Sequence, residues 1–416
     1  MKKYKIAFIV NHFPSVSETF ILNQITDLVE RGHDIRIYSF QSRKLNFIHS
    51  AFERYKLIEK TTYFEHAHQF PINKLGWYFS FFLKHAWTLI RVLKFKMFNH
   101  SALRKAIHNQ SLSVSLEYFL NDTAFDIVHA HFGQRGAVVA NLMARGRTSN
   151  FKFVTTFHGH DLTPSFVNRY KTAYKDIFRF ADAVTVNSNY LAAILLEVYH
   201  EPKNLTLLPV GLKTEQYRKE ATEFNRGLSN FTIVFCGRLV EFKAPDLAVQ
   251  IINILVNGRG FRNVMLRIIG EGKLRGDVEE LIHKLALEAH VVLLGALSQE
   301  SVIQEMNKAD LFLLPGVHEK ETGRAETQGL VIQEAQAMEL PVVVSDAGGM
   351  KYGLIDGLSG FVIKEKDIEA FADKIELLMK DEDLRIKMGK TGRDFVVSNF
   401  DTKILGDKLL QLYSRI

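Results

Sequence analysis

Residues 231–250 read FTIVFCGRLVEFKAPDLAVQ, and this stretch decides the fold. Its first part is apolar on both faces, as a strand buried between two helix layers must be. It stops at Gly237, Arg238 and Lys243 follow within six residues, and a helix opens near Pro245 and runs on through APDLAVQIINILVNGRG. The same order recurs along the chain. The first half carries KIAFIV, DIRIYSF, DIVHAHF, KFVTTFHG, DAVTVNS and LTLLPVG; the second carries VMLRIIGEG, HVVLLGAL, ADLFLLPG, PVVVSDAGG and GFVI. Amphipathic stretches such as DVEELIHKLALEA lie between them. Repeated strand–helix alternation implies an α/β chain of doubly wound parallel sheets.

The alternation breaks at residues 212–230, LKTEQYRKEATEFNRGLSN, which are polar and strand-free. With 416 residues the chain exceeds one ordinary core, and two domains of about 150–200 residues are expected. We place them at 1–211 and 231–398, joined by 212–230, with 399–416 as a closing helix. At 47% hydrophobic and 24% charged, the composition is globular and excludes a disordered chain. Cys236 is the single cysteine, so no internal disulfide forms and a reducing compartment is expected. MKKYKIAFIV reads as the first buried strand rather than a secretory signal. No stretch reaches about 18 uncharged apolar residues, the length a bilayer-spanning helix needs.

Ligands of open parallel sheets lie outside the carboxyl ends of the strands, so strand ends are where chemistry belongs. Arg238 and Lys243 suit a diphosphate, one as a fork and one as a point charge, although two solvated surface cations would look the same. Both leave a strand end, so neither should matter for folding. Gly270 and Gly272 form a tight turn that admits a ligand to the backbone, or that merely reverses the chain. In ETQGLVIQEAQA, residues 326–337, a helix starting near Gln328 aims the N–H groups of Gly329, Leu330 and Val331 outward, a ready anion site. Glu326 precedes that end and Glu334 lies inside the helix. Eight residues of helix span about 12 Å, too far for the carboxylates to share a proton and suited to the two ends of one extended ligand.

In the first half, His129, His131, His158 and His160, with Asp161, fall at strand ends. Two H-x-H spacings raise a metal, but no H-E-x-x-H or cysteine set accompanies them, and contacts to a hydroxyl-rich ligand fit better. Ser17, Glu18 and Thr19 read as a helix start with a serine cap and an acidic first turn.

Assembled, these pieces resemble the retaining glycosyltransferases of family four, built on the GT-B fold of two facing Rossmann-like domains with a deep cleft between them. The resemblance covers essentially the whole chain. It rests on Glu326 and Glu334 followed by LPVVVSDAGG, on GRLVEFK, on TFHGHD, and on SETFI, which is similar to bacterial members that build colanic acid and other exopolysaccharides. It implies transfer of a sugar from a nucleotide-diphosphate sugar to a saccharide or lipid-linked saccharide acceptor, with no cofactor, no metal and no nucleic acid partner. Arg238 and Lys243 would hold the diphosphate, Glu334 the ribose, and Glu326 the donor sugar near its reacting carbon. Gly329, Leu330 and Val331 would offer backbone N–H groups to the donor, with Gly270 and Gly272 beside it. His158 would bond the sugar as a second catalytic group with Glu326. Ser17, Glu18, Thr19, His131 and Asp161 would lie on the acceptor side, and the last helix would cross back to the first domain. Three features depart from the family pattern. Met350-Lys351-Tyr352 stands where a small apolar residue, Pro and Glu are usual, Ala244 stands where Gly is common, and NHFPSVSE lacks a glycine pair. A nucleotide-sugar epimerase of the same fold and a non-catalytic sugar-nucleotide sensor remain alternatives. A nicotinamide oxidoreductase is disfavoured, since no G-x-G-x-x-G follows the first strand.

The net charge is +7. From His66 to Leu116 there is no acid, while Lys74, Lys84, Arg91, Lys94, Lys96, Arg104 and Lys105 interleave with aromatics. This is either a helix pair with a solvated basic face or an element lying in the headgroup plane of an anionic membrane, with Lys84, Arg91, Lys94 and Lys96 as its contacts. The second reading predicts a cytoplasmic protein held peripherally at the inner face of the cell membrane.

Overall fold

The computed structural model of the chain describes residues 2–15, 18–42, 51–64, 116–117, 119–121, 123–146, 150–219 and 231–416. Ser17, Lys84, Arg91, Lys94, Lys96 and residues 220–230 lie outside these. By internal contacts the chain forms two units, Met1–Thr156 with Ala173–Val184, and Phe157–Thr172 with Thr185–Ile416.

One sheet has seven strands: β1 (Lys5–His12), β2 (Asp34–Gln41), β3 (Thr61–Tyr63), β4 (Ile127–His131), β5 (Lys152–Phe157), β6 (Ala183–Val186) and β7 (Leu205–Leu207), in the order β3-β2-β1-β4-β5-β6-β7. Its described pairings are parallel. The other has six: β8 (Phe231–Cys236), β9 (Val264–Ile269), β10 (Val291–Gly295), β11 (Leu311–Leu314), β12 (Val342–Ser345) and β13 (Gly360–Ile363), in the order β10-β9-β8-β11-β12-β13. All five of its pairings are parallel. The apolar runs of the sequence correspond to twelve of these strands. The exception is β3, three half-buried residues at a sheet edge and too short to give a pattern.

In the six-stranded sheet, β11 and β12 are buried along their whole length, as central strands covered on both faces must be. Strand order reverses between β8 and β11, which makes the carboxyl ends of these two strands the topological switch point. Gly237 and Arg238 follow β8 there, and Pro315 and Gly316 follow β11.

The loops after β8 and β9 continue the ladder beyond the strands. Gly237 N–H donates to the Ile269 carbonyl (2.9 Å) and Leu239 N–H to the Glu271 carbonyl (2.9 Å). A Cβ on Gly270, which has φ +137°, would collide with the Gly237 carbonyl, and one on Gly272 with the Leu239 carbonyl. The glycine turn is therefore the close fit that holds the Arg238 loop in place.

Candidate active site

The loop leaving β8 makes a short 3-10 turn, Glu241–Lys243, before the helix Pro245–Asn253. Ala244 joins the two with φ +51°. That left-handed conformation costs a residue with a Cβ about 1–2 kcal/mol and a glycine little, which gives a physical reason for glycine at this joint.

The turn buries Lys243, which is only 8% exposed. Its Nζ forms an ion pair with Glu326 Oε2, whose side chain is 16% exposed. Glu326 Oε1 accepts from the N–H groups of Thr327 (3.2 Å) and Gly329 (3.1 Å). Burial alone would raise the Glu326 pKa, but Lys243 and these backbone donors outweigh it, and the carboxyl is held below its ordinary value. This corrects two expectations. Lys243 is a buried half of an ion pair rather than a free strand-end cation, so it matters for folding. The helix also begins at Leu330, not near Gln328, because Gly329 takes φ +76° and acts as the N-cap. The Gly329 N–H is engaged by Glu326, while the N–H groups of Leu330 and Val331 have no acceptor among the described residues.

Glu334 lies within the helix Leu330–Ala337. The Tyr217 hydroxyl donates to its Oε1 (2.9 Å), and Gln299 Nε2 donates to that hydroxyl (2.8 Å). Burial raises the Glu334 pKa, with Tyr217 and Lys243 opposing it incompletely. The two carboxyls are thus pushed apart, Glu326 downward and Glu334 upward. Burial, with Glu334 adding to it, pushes the Cys236 thiol to about 12, which disfavours the reactive thiolate.

Polar residues beneath the helix fix its position. Gln328 clamps Val210 through both backbone groups, accepting from its N–H (2.8 Å) and donating to its carbonyl (2.9 Å). Gln336 donates to the Gly353 carbonyl (2.7 Å) and accepts from the Ser359 hydroxyl (2.9 Å). Behind the Glu326 segment, a Cβ on Gly348 or Gly349 would collide with the carbonyl of Glu326 or Thr327. Gly349 N–H donates to the Glu326 carbonyl (2.7 Å). The glycine pair therefore seats the Glu326–Thr327 segment. Met350 is fully buried, its Cε methyl packed against Gly316, and Tyr352 is exposed.

His158 is half-buried beside this segment. Its carbonyl accepts from the Thr327 hydroxyl (3.0 Å) and from Asn187 Nδ2 (3.2 Å). Asp161 is fully buried, and its Oδ1 accepts from the N–H groups of His158 (3.1 Å) and Gly159 (2.8 Å). It shapes the His158 loop and offers no face to an acceptor, contrary to its expected place.

In the other unit, His129 and His131 are buried and stack on each other (centroids 4.6 Å apart) and on Phe8. His129 Nε2 lies 2.6 Å from the Thr156 hydroxyl, and burial lowers its pKa to about 3. The H-x-H spacing is thus a stack along one face of β4. His131, 2% exposed, is not presented to an acceptor in this structure. Among the described residues no group of three His, Cys, Asp or Glu is arranged to hold a metal ion. The first helix starts at Thr19 with Glu18 at the N-cap, where its side chain makes no capping bond, and the first turn holds no acid.

Tyr217, Gln299 and Gln328 were not singled out from the sequence. Tyr217 lay in what read as a linker, and its only signal was an aromatic within a charged stretch. Gln333 and Gln336 had a visible signal, as polar positions on the helix face that the apolar pattern turns inward.

Two family models cover nearly the whole chain. Residues 17–216 match the one described as Glycosyltransferase Family 4, and residues 217–395 the one described as Glycosyl transferases group 1. The chain is a family-four-like glycosyltransferase. The colanic acid biosynthesis glycosyltransferase WcaL of Salmonella typhimurium is 27% identical over 415 residues, spanning 99% of this chain and all of that one. The amylovoran biosynthesis glycosyltransferase AmsK of Erwinia amylovora is 27% identical over 418 residues, with 99% and 100% covered. Anabaena HepE, solved in complex with UDP, superposes with a TM-score of 0.74 at 16% identity, covering 99% of this chain and 100% of that one. The glycosyltransferase therefore has the GT-B fold, and its Glu326, Glu334, Arg238 and Lys243 fall inside the group 1 match. Neither the epimerase nor the sensor alternative is favoured by these relatives.

Proposed function

We propose that this glycosyltransferase moves a sugar, with retention of anomeric configuration and without a metal ion, from a nucleotide-diphosphate sugar to a saccharide or lipid-linked saccharide in exopolysaccharide synthesis. The observation that carries this reading is the buried Lys243–Glu326 pair, which joins the loop after β8, where Arg238 lies beside Phe242, to the segment that opens the Glu334 helix at the switch point. Glu334 takes the ribose hydroxyls. The Leu330 and Val331 N–H groups and Arg238 face the diphosphate and stabilise its charge as it leaves, the task a metal performs elsewhere. Glu326, kept ionised, lies at the sugar end.

In the transfer, the acceptor oxygen bonds to the anomeric carbon as the bond from that carbon to the phosphate oxygen breaks. The acceptor proton passes to the departing phosphate, and both events occur on one face of the sugar. A second carboxylate on the opposite face is then not required, unlike in glycoside hydrolases. The basic, acid-free segment 66–116 supports a cytoplasmic protein held at the anionic inner leaflet, where a lipid-linked acceptor would be presented. No helix among the described residues is long and apolar enough to cross a membrane.

Proton NMR of the product tests the mechanism: the donor's anomeric configuration should be kept, and excess EDTA should leave the rate unchanged. An inverted product, or loss of activity in EDTA with rescue by Mn²⁺, would overturn it.

A further inference from the structure

We propose that Arg324 is a second cation for the donor diphosphate, acting with Arg238. Phe242, nearly buried, is ringed by three cations: the Arg324 guanidinium 4.8 Å from its centroid, that of Arg238 at 5.7 Å, and Lys243 Nζ at 5.9 Å. Among the described residues only Lys243 of the three has a carboxylate partner, and Glu326 offsets its charge. Neither guanidinium has a carboxylate within ion-pair distance among the described residues. Two guanidiniums without a carboxylate, converging on one ring, concentrate positive potential that an anion relieves. An anion with two phosphate groups supplies enough oxygens for both forks.

The loop that presents Arg324 is built to hold it. The Arg324 carbonyl accepts from Glu319 N–H (2.8 Å), its own N–H donates to the Thr322 hydroxyl (3.1 Å), and that hydroxyl donates to Glu319 Oε2 (2.7 Å). Glu319, an acid of the same loop, is turned onto Thr322 rather than onto Arg324. Lys320 N–H donates to Glu241 Oε1 (3.0 Å), and Val317 N–H donates to the Phe242 carbonyl (3.0 Å). These bonds tie the Arg324 loop to the turn that carries Phe242 and Lys243. Ser165 N–H donates to the Thr322 carbonyl (3.2 Å) and secures the far side.

The inference rests on the donor-site reading above, and calorimetry separates the two. UDP and GDP, with UMP and GMP beside them, are titrated into the wild type, Arg324→Gln and Arg324→Lys. The expected result is that the diphosphate bound by the wild type loses about ten-fold or more in affinity in Arg324→Gln, the scale of a lost charge-assisted bond. Its monophosphate should lose less than about three-fold, and Arg324→Lys should recover part of the diphosphate affinity. Equal losses for both nucleotides, or none in either, would overturn the role of Arg324 while leaving the donor site standing. A wild type that binds none of the four would overturn the donor-site reading itself, and this inference with it.

Discussion

Replacing Lys243 with methionine keeps most of the side chain's volume and removes its charge. Lys243 is 8% exposed and the Glu326 side chain 16%, so the variant leaves a largely buried carboxylate with two backbone donors and no cation. Breaking such a pair costs about 3–5 kcal/mol. Glu326 can escape by taking up a proton. For a carboxyl of ordinary pKa 4.5, protonation at pH 7 costs about 3.4 kcal/mol, at about 1.36 kcal/mol per pH unit. That limit places the expected loss in the lower part of the range, about 3–4 kcal/mol at pH 7. The pH dependence has a definite sign. In the wild type the folded pKa is lowered, so the stabilisation is present above 4.5 and is lost as pH falls through the folded value. In the variant burial dominates, and the carboxyl costs more stability as pH rises above 4.5. The gap between the two proteins should therefore narrow by up to about 2.7 kcal/mol from pH 7 to pH 5. Adding Glu326→Gln to Lys243→Met should recover much of the loss at pH 7. Urea unfolding across this range reads all three proteins. A loss under about 1 kcal/mol at pH 7 that does not change toward pH 5 would refute the buried-pair reasoning.

Glu334 should behave oppositely. Its folded pKa is raised, so its stabilising contribution is present below 4.5 and lost as pH rises through the folded value. Glu334→Gln should raise the melting temperature at pH 7, have little effect at pH 4, and weaken nucleotide binding; a lowered melting temperature at pH 7 would contradict the shift. Gly349→Ala drives a Cβ into the Thr327 carbonyl and should destabilise by about 2 kcal/mol or more, whereas Gly276→Ala, in the helix Arg275–Lys284 with open space around it, should stabilise by up to about 1 kcal/mol. Thermal melts that rank the two variants the other way would sink the packing argument. Changing Lys84, Arg91, Lys94 and Lys96 to Gln should abolish salt-sensitive binding to phosphatidylglycerol vesicles; equal flotation with neutral and anionic vesicles would rule out the membrane patch.

The second sheet was legible because central parallel strands must be apolar on both faces, and all six of its runs stand out against polar turns. The β3 edge strand had no such constraint. The candidate site was legible as a set of strand-end residues but not as a set of contacts. Lys243 and Glu326 are far apart in the chain, and nothing local distinguishes a buried cation from a solvated one. The helix start moved because Gly329 could adopt positive φ, a freedom that sequence allows but does not dictate. Gly270 and Gly272 announced a tight turn, but only the paired loops revealed that its function is to hold Arg238. Asp161 was read as a ligand group because it lay at a strand end. Its burial and its bonds to two loop amides are properties of the folded loop alone.

The central claim is nucleotide-sugar-dependent transfer at the Arg238, Lys243, Glu326 and Glu334 site. The most direct measurement offers the purified protein a panel of nucleotide sugars with a lipid-linked saccharide acceptor and follows labelled sugar into the acceptor. One donor should support transfer with stoichiometric release of its nucleoside diphosphate. Glu326→Ala should lower turnover with little change in nucleotide affinity, and Arg238→Ala should weaken that affinity. Transfer that persists undiminished in both variants, or epimerised free donor in place of a lengthened acceptor, would contradict the account.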